Sequence, residues 1–564
     1  MKLPSMIYSS RKKTELQGKF GGLTHTDLAN AQDLYDLQNL TSDRFPLLAS
    51  RPLRWKIHNG TQITALTAVG DVLYFVQEGK LYRSSAVEEV LNDYSLDYMA
   101  AVEELASIDG VVTEIYVMGT RLILSPAMAV YHIETGELRP MGASYTGALM
   151  VTDGYLYDEA AVANRITLNE TTWEAEGFCA GDGITYTFTS DDGTAAISGS
   201  AVIRSIDGAH ADFYENSFAD QVGGYGGTIE RVVPRMDYLL VCANRLFGCQ
   251  GDTIYASKLG DPFNFNVFDG ISTDSWFATS GTGGEFSGCC EYLGYPLFFK
   301  PDGIYKLYGS QPDGYRLSKT DAYGVKEGSH ASLAVVGDLL LYHSPAGVCA
   351  YTGGYPTVIL TPAEMDGYAA PGGWAAGDGR KYYLRLVTKA GNPLIWVFDT
   401  EKNLWHKEDG AVTPSVCTGY PGNGQRNLFG IASDGIYIMG SPAFTLSQVD
   451  GTAQYIGHRE GEVASFAEFG RGMRESLGSK TLWKLQIRIA VSKGARVSVF
   501  IAYDNRSFVQ LFRQRYTTEG VVTIPVQPML CDSYRLRIEG EGEYKILSIA
   551  RTYSENALPM RKLY

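Results

Sequence analysis

Short apolar runs, each closed by a turn and followed by a second apolar run, recur along most of the chain. Val72-Leu73-Tyr74-Phe75-Val76 is followed by Gly79-Lys80-Leu81-Tyr82, and Arg121-Leu122-Ile123-Leu124 by Ala129-Val130-Tyr131. The unit returns as Leu246-Phe247-Gly248 with Asp252-Thr253-Ile254-Tyr255, and as Leu297-Phe298-Phe299 with Asp302-Gly303-Ile304-Tyr305. Leu339-Leu340-Leu341-Tyr342 pairs with Gly347-Val348-Cys349-Ala350-Tyr351, and Tyr382-Tyr383-Leu384-Arg385-Leu386 with Ile395-Trp396-Val397-Phe398. Leu428-Phe429-Gly430-Ile431 with Asp434-Gly435-Ile436-Tyr437 closes the series. Apolar strands bounded by Gly and Asp turns read as β-hairpins.

The closing aromatics stand at positions 82, 131, 255, 305, 351, 398 and 437, at spacings of 49, 124, 50, 46, 47 and 39. Apart from the second, these match the roughly 40–50 residues of a four-stranded propeller blade. A blade exposes apolar faces that only its neighbours can cover, so the units must close radially. The fold class expected is therefore all-β: a β-propeller of six or seven blades with an inserted small β domain and a C-terminal β-sandwich.

The long spacing locates the insertion at 141–228, where Asn164-Arg165-Ile166-Thr167-Leu168, Ile184-Thr185-Tyr186-Thr187-Phe188 and Ala201-Val202-Ile203-Arg204 read as strands. Gly223-Gly224-Tyr225-Gly226-Gly227 reads as the hinge back to the propeller. Beyond 450 the period changes to strict alternation, in Leu485-Gln486-Ile487-Arg488-Ile489-Ala490-Val491, Val497-Ser498-Val499-Phe500-Ile501 and Tyr534-Arg535-Leu536-Arg537-Ile538. Half-buried antiparallel strands follow from that period, hence a sandwich. The first 48 residues lack the repeat; Leu28, Ala31, Leu34, Tyr35 and Leu37 fit one face of a short helix within an extended arm that lies on a neighbouring domain or subunit. The expected division is 1–48 arm, 49–140 first part of the propeller, 141–228 insertion, 229–450 second part and 451–564 sandwich.

Composition sharpens this picture. The 564 residues include 63 Gly and 37 Tyr, which favours turns and strands over helices. The net charge of −15 argues against a protein built to grip nucleic acid, which needs a basic surface. From 455 onward 17 Lys/Arg face 11 Asp/Glu, so the C-terminal domain is basic and the preceding body carries the acidic balance. The first residues contain no apolar core of a secretory signal, and the apolar run ASLAVVGDLLLY is broken by Gly337-Asp338, so a soluble protein is expected. Cys179, Cys242, Cys249, Cys289, Cys290, Cys349, Cys417 and Cys531 form no C-x-x-C pair and read as reduced, buried residues of a protein made in a reducing cytoplasm. Strand alternation sends Cys289 and Cys290 to opposite faces.

Candidate chemistry is sparse. The eight histidines, His25, His58, His132, His210, His330, His343, His406 and His458, show no metal-ligand spacing, and no cofactor is expected. Ser190-Asp191-Asp192-Gly193-Thr194 has the wrong spacing for a sialidase turn and occurs once. No carboxylate pair stands in a distinctive context. Gly281-Thr282-Gly283-Gly284 lacks the Lys and Ser/Thr of a phosphate loop and reads as a flexible connection. The expectation is a protein that is not an enzyme.

One stretch is more specific. Asn244-Arg245-Leu246-Phe247-Gly248, Ile254-Tyr255-Ala256-Ser257 and Gly260-Asp261-Pro262-Phe263-Asn264-Phe265 resemble phage tail nozzle or hub proteins, among them the packaged-DNA stabilisation proteins of short-tailed phages. Asn39-Leu40-Thr41-Ser42-Asp43-Arg44-Phe45-Pro46 with Arg51-Pro52-Leu53-Arg54 is similar to that family's N-terminal approach to the propeller. Gly303-Ile304-Tyr305-Lys306-Leu307-Tyr308 with Tyr323-Gly324-Val325 and Ser329 is similar to its mid-propeller pattern, and Val499–Asp504 and Leu536–Gly540 to its sandwich. The resemblance implies a homo-oligomeric ring in the virion tail, usually of six subunits, below the portal and head–tail adaptor. Such a ring carries tail fibres or a tip, retains the packaged genome and lets DNA pass without sequence-specific binding. An acidic lumen suits that passage, because it repels phosphate. Arg11, Lys12, Lys13, Arg44, Arg51 and Arg54 are the candidate docking residues, basic groups for acidic neighbours. The Gly-Asp-Pro tail is expected to lead from one blade to the next. A tail-associated carbohydrate-binding or polysaccharide-degrading propeller is the alternative.

Overall fold

The computed structural model describes residues 12–24, 34–91, 95–157, 160–190, 196–214, 222–362, 372–420, 426–440, 458–470, 480–504, 506–518 and 528–555, with single positions between them. The chain is all-β and propeller-like. Its only helical pieces among the described residues are the 3-10 turns Pro312–Gly314 and His330–Ser332. No described helix is long and apolar enough to cross a membrane.

Six consecutive antiparallel sheets, within 63–107, 112–140, 238–279, 288–321, 334–360 and 374–409, each hold four strands paired in sequence order. The seventh joins Thr413–Thr418, Asn427–Ala432 and Gly435–Ile438 to Trp55–Asn59, a strand from the other end of the chain, followed by His458–Arg459. Each repeated hairpin of the sequence supplies the second and third strands of one sheet.

Both faces of every sheet are apolar, and cores lie between consecutive sheets. Tyr74, Val76 and Leu81 of the first pack with Leu122, Leu124 and Tyr131 of the second. Ile123 and Val130 of the second meet Leu239 and Leu246 of the third. Leu240 and Phe247 meet Phe298 and Tyr305 of the fourth, whose Leu297 and Phe299 meet Leu340 and Tyr342 of the fifth. Leu341 and Val348 join Tyr382 and Trp396 of the sixth, and Tyr383 and Val397 join Leu428 and Met439 around the seventh. The last core sets Ile57, Phe429 and Ile436 of the seventh against Leu73 and Phe75 of the first, so the succession of sheets returns to its start. Cys289 faces one of these cores and Cys290 the next, as alternation requires.

Closure depends on the register Ile436↔His58 and Gly435↔Asn59. Gly435 has φ +154°, and a Cβ there would lie 2.0 Å from the His58 carbonyl oxygen. Only glycine lets the two backbones meet. His58 Nε2 bonds Gln77 Oε1 of the first sheet at 2.8 Å, tying the closing strand to both neighbours.

The insertion is a six-stranded sheet in the order Ala143–Tyr157, Ala160–Leu168, His210–Phe213, Ala196–Asp207, Gly183–Ser190 and Gly223–Arg231, whose last strand pairs with the first. The glycine cluster expected to be a hinge is thus a strand. Its glycines permit close approach: a Cβ on Gly227 would lie 2.3 Å from the Thr187 carbonyl oxygen. The Gly-Asp-Pro tail does not lead to the next sheet either. It lies between the third and fourth strands of the same sheet and seats the insertion. Asn264 Oδ1 accepts from the Gly183 amide at 2.8 Å, and Asn264 Nδ2 donates to Asp182 Oδ1 at 3.2 Å. Arg139 and Arg231 stack over Phe263 at 4.8 and 5.2 Å, and Arg231 pairs with Asp182 in a buried position.

The C-terminal strands form two facing sheets, and the N-terminal segment is woven into both. Leu34–Gln38 edges the sheet continued by Ala464–Phe469, Tyr534–Glu541, Arg496–Tyr503 and Val509–Arg515. Lys13–Gln17, Leu40–Thr41 and Leu48–Ser50 join the other sheet with Tyr544–Glu555 and Lys480–Val491. The helix expected near Leu34, Tyr35 and Leu37 is therefore a strand; Leu28 and Ala31 lie outside the described residues. Pairing to Ala464–Phe469 overrides the local helical spacing and buries Leu34 and Leu37 in the core shared with the C-terminal sheets.

Arg51 and Arg54 do not face a partner. They are 4% and 1% exposed and sit between the circle of sheets and the C-terminal pair. Arg51 reaches Asp409 at 2.6 Å and Glu460 at 2.8 Å; Arg54 reaches Asp409 at 2.7 Å and Glu408 at 3.1 Å. Asn39 Oδ1 accepts from Arg51 Nε at 3.1 Å. Burial raises the Asp409 carboxyl, but Arg54 and Arg51 outweigh it and hold its pKa down at about 2.

Asp409→Asn is expected to cost about 1.5–3 kcal/mol at pH 7, read from urea unfolding, because it removes the carboxylate that both guanidinium groups share while Glu408 and Glu460 remain. A depressed folded pKa gives stability that is full above the ordinary carboxyl pKa and lost as pH falls through the folded value. The gap between wild type and variant should therefore narrow from pH 4 towards pH 2. A constant gap contradicts the assignment.

Candidate functional site: the axial cavity

The innermost strand of a sheet in such a circle is the one nearest the axis. Residues 63–66, 113–116, 239–241, 289–291, 374–375 and 413–415, drawn from innermost strands of six sheets, line one cavity of about 550 Å³ with His330 and Arg385. The fifth sheet contributes through the turn His330–Ser332 that precedes its first strand.

Four of these groups form a hydrogen-bonded chain. The Cys289 amide donates to His330 Nδ1 at 3.3 Å, which assigns the proton of the neutral ring to Nε2. His330 Nε2 lies 3.3 Å from Tyr116 Oη and 3.7 Å from Glu114 Oε2, and the Tyr116 hydroxyl donates to that same carboxylate. Tyr238 packs its ring 4.8 Å from the imidazole. Burial lowers the His330 pKa and outweighs the opposing pull of Glu114. Burial and Glu114 together raise the Tyr116 hydroxyl well above its ordinary range. At neutral pH the chain is thus a fixed array of donors ending on a carboxylate. Tyr116 and His330 are held in their neutral forms.

A second wall lies beside it. A Cβ on Gly373 would lie 3.5 Å from Ser332 Cβ, so the strand opening at Trp374 abuts the turn that carries His330. Trp374 is 41% exposed although it stands on an innermost strand. The Arg385 guanidinium lies 5.7 Å from its ring and donates from Nε to the Gly410 carbonyl at 3.1 Å. Among the described residues no carboxylate pairs with Arg385, and burial lowers its pKa.

The sequence candidates fall elsewhere. Lys12 is exposed and lies 4.2 Å from the Trp483 ring. Lys13 is exposed on the strand paired with Tyr553, and Arg44 is exposed. Arg11 lies outside the described residues. Gly281-Thr282-Gly283-Gly284 is no loose connection: Lys300 Nζ donates to Ser280 Oγ at 2.8 Å and to the carbonyls of Thr282, Gly283 and Gly284 at 3.0, 3.2 and 2.7 Å. Its carbonyls converge on an ammonium group, the reverse of an anion cradle. No cluster of His, Cys, Asp and Glu suited to a metal occurs among the described residues. Glu114, Tyr116, His330, Trp374 and Arg385 had no sequence signature, because they meet only when separate sheets converge.

No family model and no curated protein matches the chain. Solved structures similar to it include exo-β-1,3-galactanase from Phanerochaete chrysosporium with β-1,3-galactotriose, at 10% identity and a TM-score of 0.22, over 89% of this chain and 99% of that one. The same enzyme with galactose gives 11% identity and a TM-score of 0.20 over 88% and 96%. The expectation that the chain is not an enzyme is set aside, because the solved structures it is similar to are those of an enzyme.

The His330 imidazole is expected to titrate below pH 6.5 in a nitrogen-detected NMR titration, and lower still in Glu114→Gln, which removes the group that raises it. An unchanged or higher value in the variant contradicts the chain described.

Proposed function

We propose that the chain is a structural protein of a phage tail, one subunit of a nozzle or hub ring that extends and closes the DNA exit channel. In this reading the circle of sheets is a seven-bladed β-propeller closed by Trp55–Asn59, the six-stranded insertion is a separate barrel domain, and the C-terminal sheets are a β-sandwich completed by the N-terminal strands. The observation that carries it is the welding of the first and last parts of the chain to the propeller. One continuous core runs from Leu341 and Trp396 through Phe20 and Leu48 to Ile487 and Val499, and the Arg51–Asp409–Arg54 cluster spans the same joint. A subunit that holds a packaged genome under load must not hinge between its domains, and a shared dry core resists hinging.

Charge supports the same reading. The acidic body repels DNA phosphate, while Lys484, Arg488, Arg513 and Arg515 stand exposed on the C-terminal sheets, as do Lys12, Lys13 and Arg44. These groups face an acidic neighbour, a portal or adaptor subunit or a second copy. Arg51 and Arg54 are spent inside the molecule and take no part in docking.

Native mass spectrometry and negative-stain imaging of the purified chain test this. Closed rings, six subunits being the number the sequence resemblance implies, are the expected result, and they should loosen as salt is raised. Monomers alone at every salt and protein concentration overturn the proposal.

A further inference from the structure

We propose that the mouth of the axial cavity binds an acidic saccharide, a pyranose bearing a carboxylate, with Trp374 and Arg385 as its principal contacts. The site is independent of ring formation and stands on its own observations.

Trp374 lines the cavity, and 41% of the residue is exposed. The flat apolar face of an indole fits the axial C–H face of a pyranose. Arg385 holds its guanidinium over one face of the ring, 5.7 Å from the centroid and anchored through Nε on the Gly410 carbonyl, which leaves the other face for a sugar. Its terminal nitrogens meet no carboxylate among the described residues, and burial disfavours its charge. A half-buried guanidinium in that condition is completed by an anion, and its planar fork matches a carboxylate. Across the turn from this pair, Glu114 is fixed by Tyr116, and Glu291 lines the same cavity. Carboxylates there accept hydrogen bonds from hydroxyl groups, which a sugar supplies.

The same two contacts would also fit a nucleotide, with its base on the indole and its phosphate on the guanidinium. The cavity disfavours that ligand. Glu114 and Glu291 add negative charge around a phosphate, and the cavity opens within the strongly acidic part of the chain. A single weak carboxylate charge set among hydroxyls suits one cation and two acceptors better. The volume of about 550 Å³ falls within the roughly 300–1,000 Å³ of small-ligand cavities.

Isothermal titration of the full-length chain with a glucuronate-containing tetrasaccharide, a neutral tetrasaccharide of equal length, sodium acetate and adenosine monophosphate tests the proposal. The acidic tetrasaccharide should bind roughly tenfold or more tightly than the neutral one, the worth of one charge-assisted contact. Trp374→Leu should abolish binding. Arg385→Gln should reduce the acidic ligand to the affinity of the neutral one, with melting temperature and circular dichroism reporting that each variant is folded. Equal binding of the two tetrasaccharides by the wild type overturns the proposal without recourse to any variant. So does binding of acetate as tightly as the saccharide, preference for the nucleotide, or no binding of any probe.

Discussion

Circular closure is the constraint on which the rest of the molecule depends. Each sheet exposes apolar side chains on both faces, so no sheet is satisfied until it has a neighbour on each side. The first and last sheets of a linear array would each leave one such face in water. The chain resolves this by placing Trp55–Asn59, from ahead of the first sheet, as the fourth strand of the seventh. That single pairing buries Ile57, Ile436 and Phe429 against Leu73 and Phe75. At roughly 2 kcal/mol for each large side chain removed from water, the contact outweighs any local preference of the short strand. Gly435 is the steric condition for it.

Closure also dictates where polar groups collect. Innermost strands converge on the axis, and there Glu114, Tyr116, His330, Trp374 and Arg385 come together from distant parts of the sequence. The outer rim has a different problem, because the segment that supplies the closing strand must pass between the sixth sheet and the C-terminal sheets. Arg51 and Arg54 stand in that passage, and Glu408, Asp409 and Glu460 answer them. Buried ions of this sort are costly unless fully paired, so they fix the path of the segment more than they add stability.

The repeat was legible in the sequence because each hairpin carries its turn and its closing aromatic within about a dozen residues of one another. Tyr82, Tyr131, Tyr255, Tyr305, Tyr351, Phe398 and Tyr437 each fall on the third strand of their sheet. The strands around 164–168, 184–188 and 201–204, and the alternating strands after 480, were legible for the same local reason. What depended on distant pairing was not. Leu34 and Leu37 have helical spacing, yet become a strand because Ala464–Phe469 lies alongside. The Gly223–Gly227 run reads as a hinge until Thr187 is known to lie against it, and Asn264 reads as part of a connector until Asp182 and Gly183 are known to be its partners. Arg51 and Arg54 read as surface charge, because nothing near them in sequence shows the carboxylates more than 300 positions away. The axial site was invisible for that reason too.

Hydrogen exchange under native conditions tests closure most directly. If the circle is one cooperative unit, amides of Trp55–Asn59 and Gly435–Ile438 exchange only by global unfolding, with the same free energy as those of the internal strand Tyr295–Lys300. Ile57→Ala, which removes a buried side chain from the closing core, should then lower the protection of all seven sheets together. Fast exchange confined to the closing strand, with the other sheets still fully protected, would contradict the account.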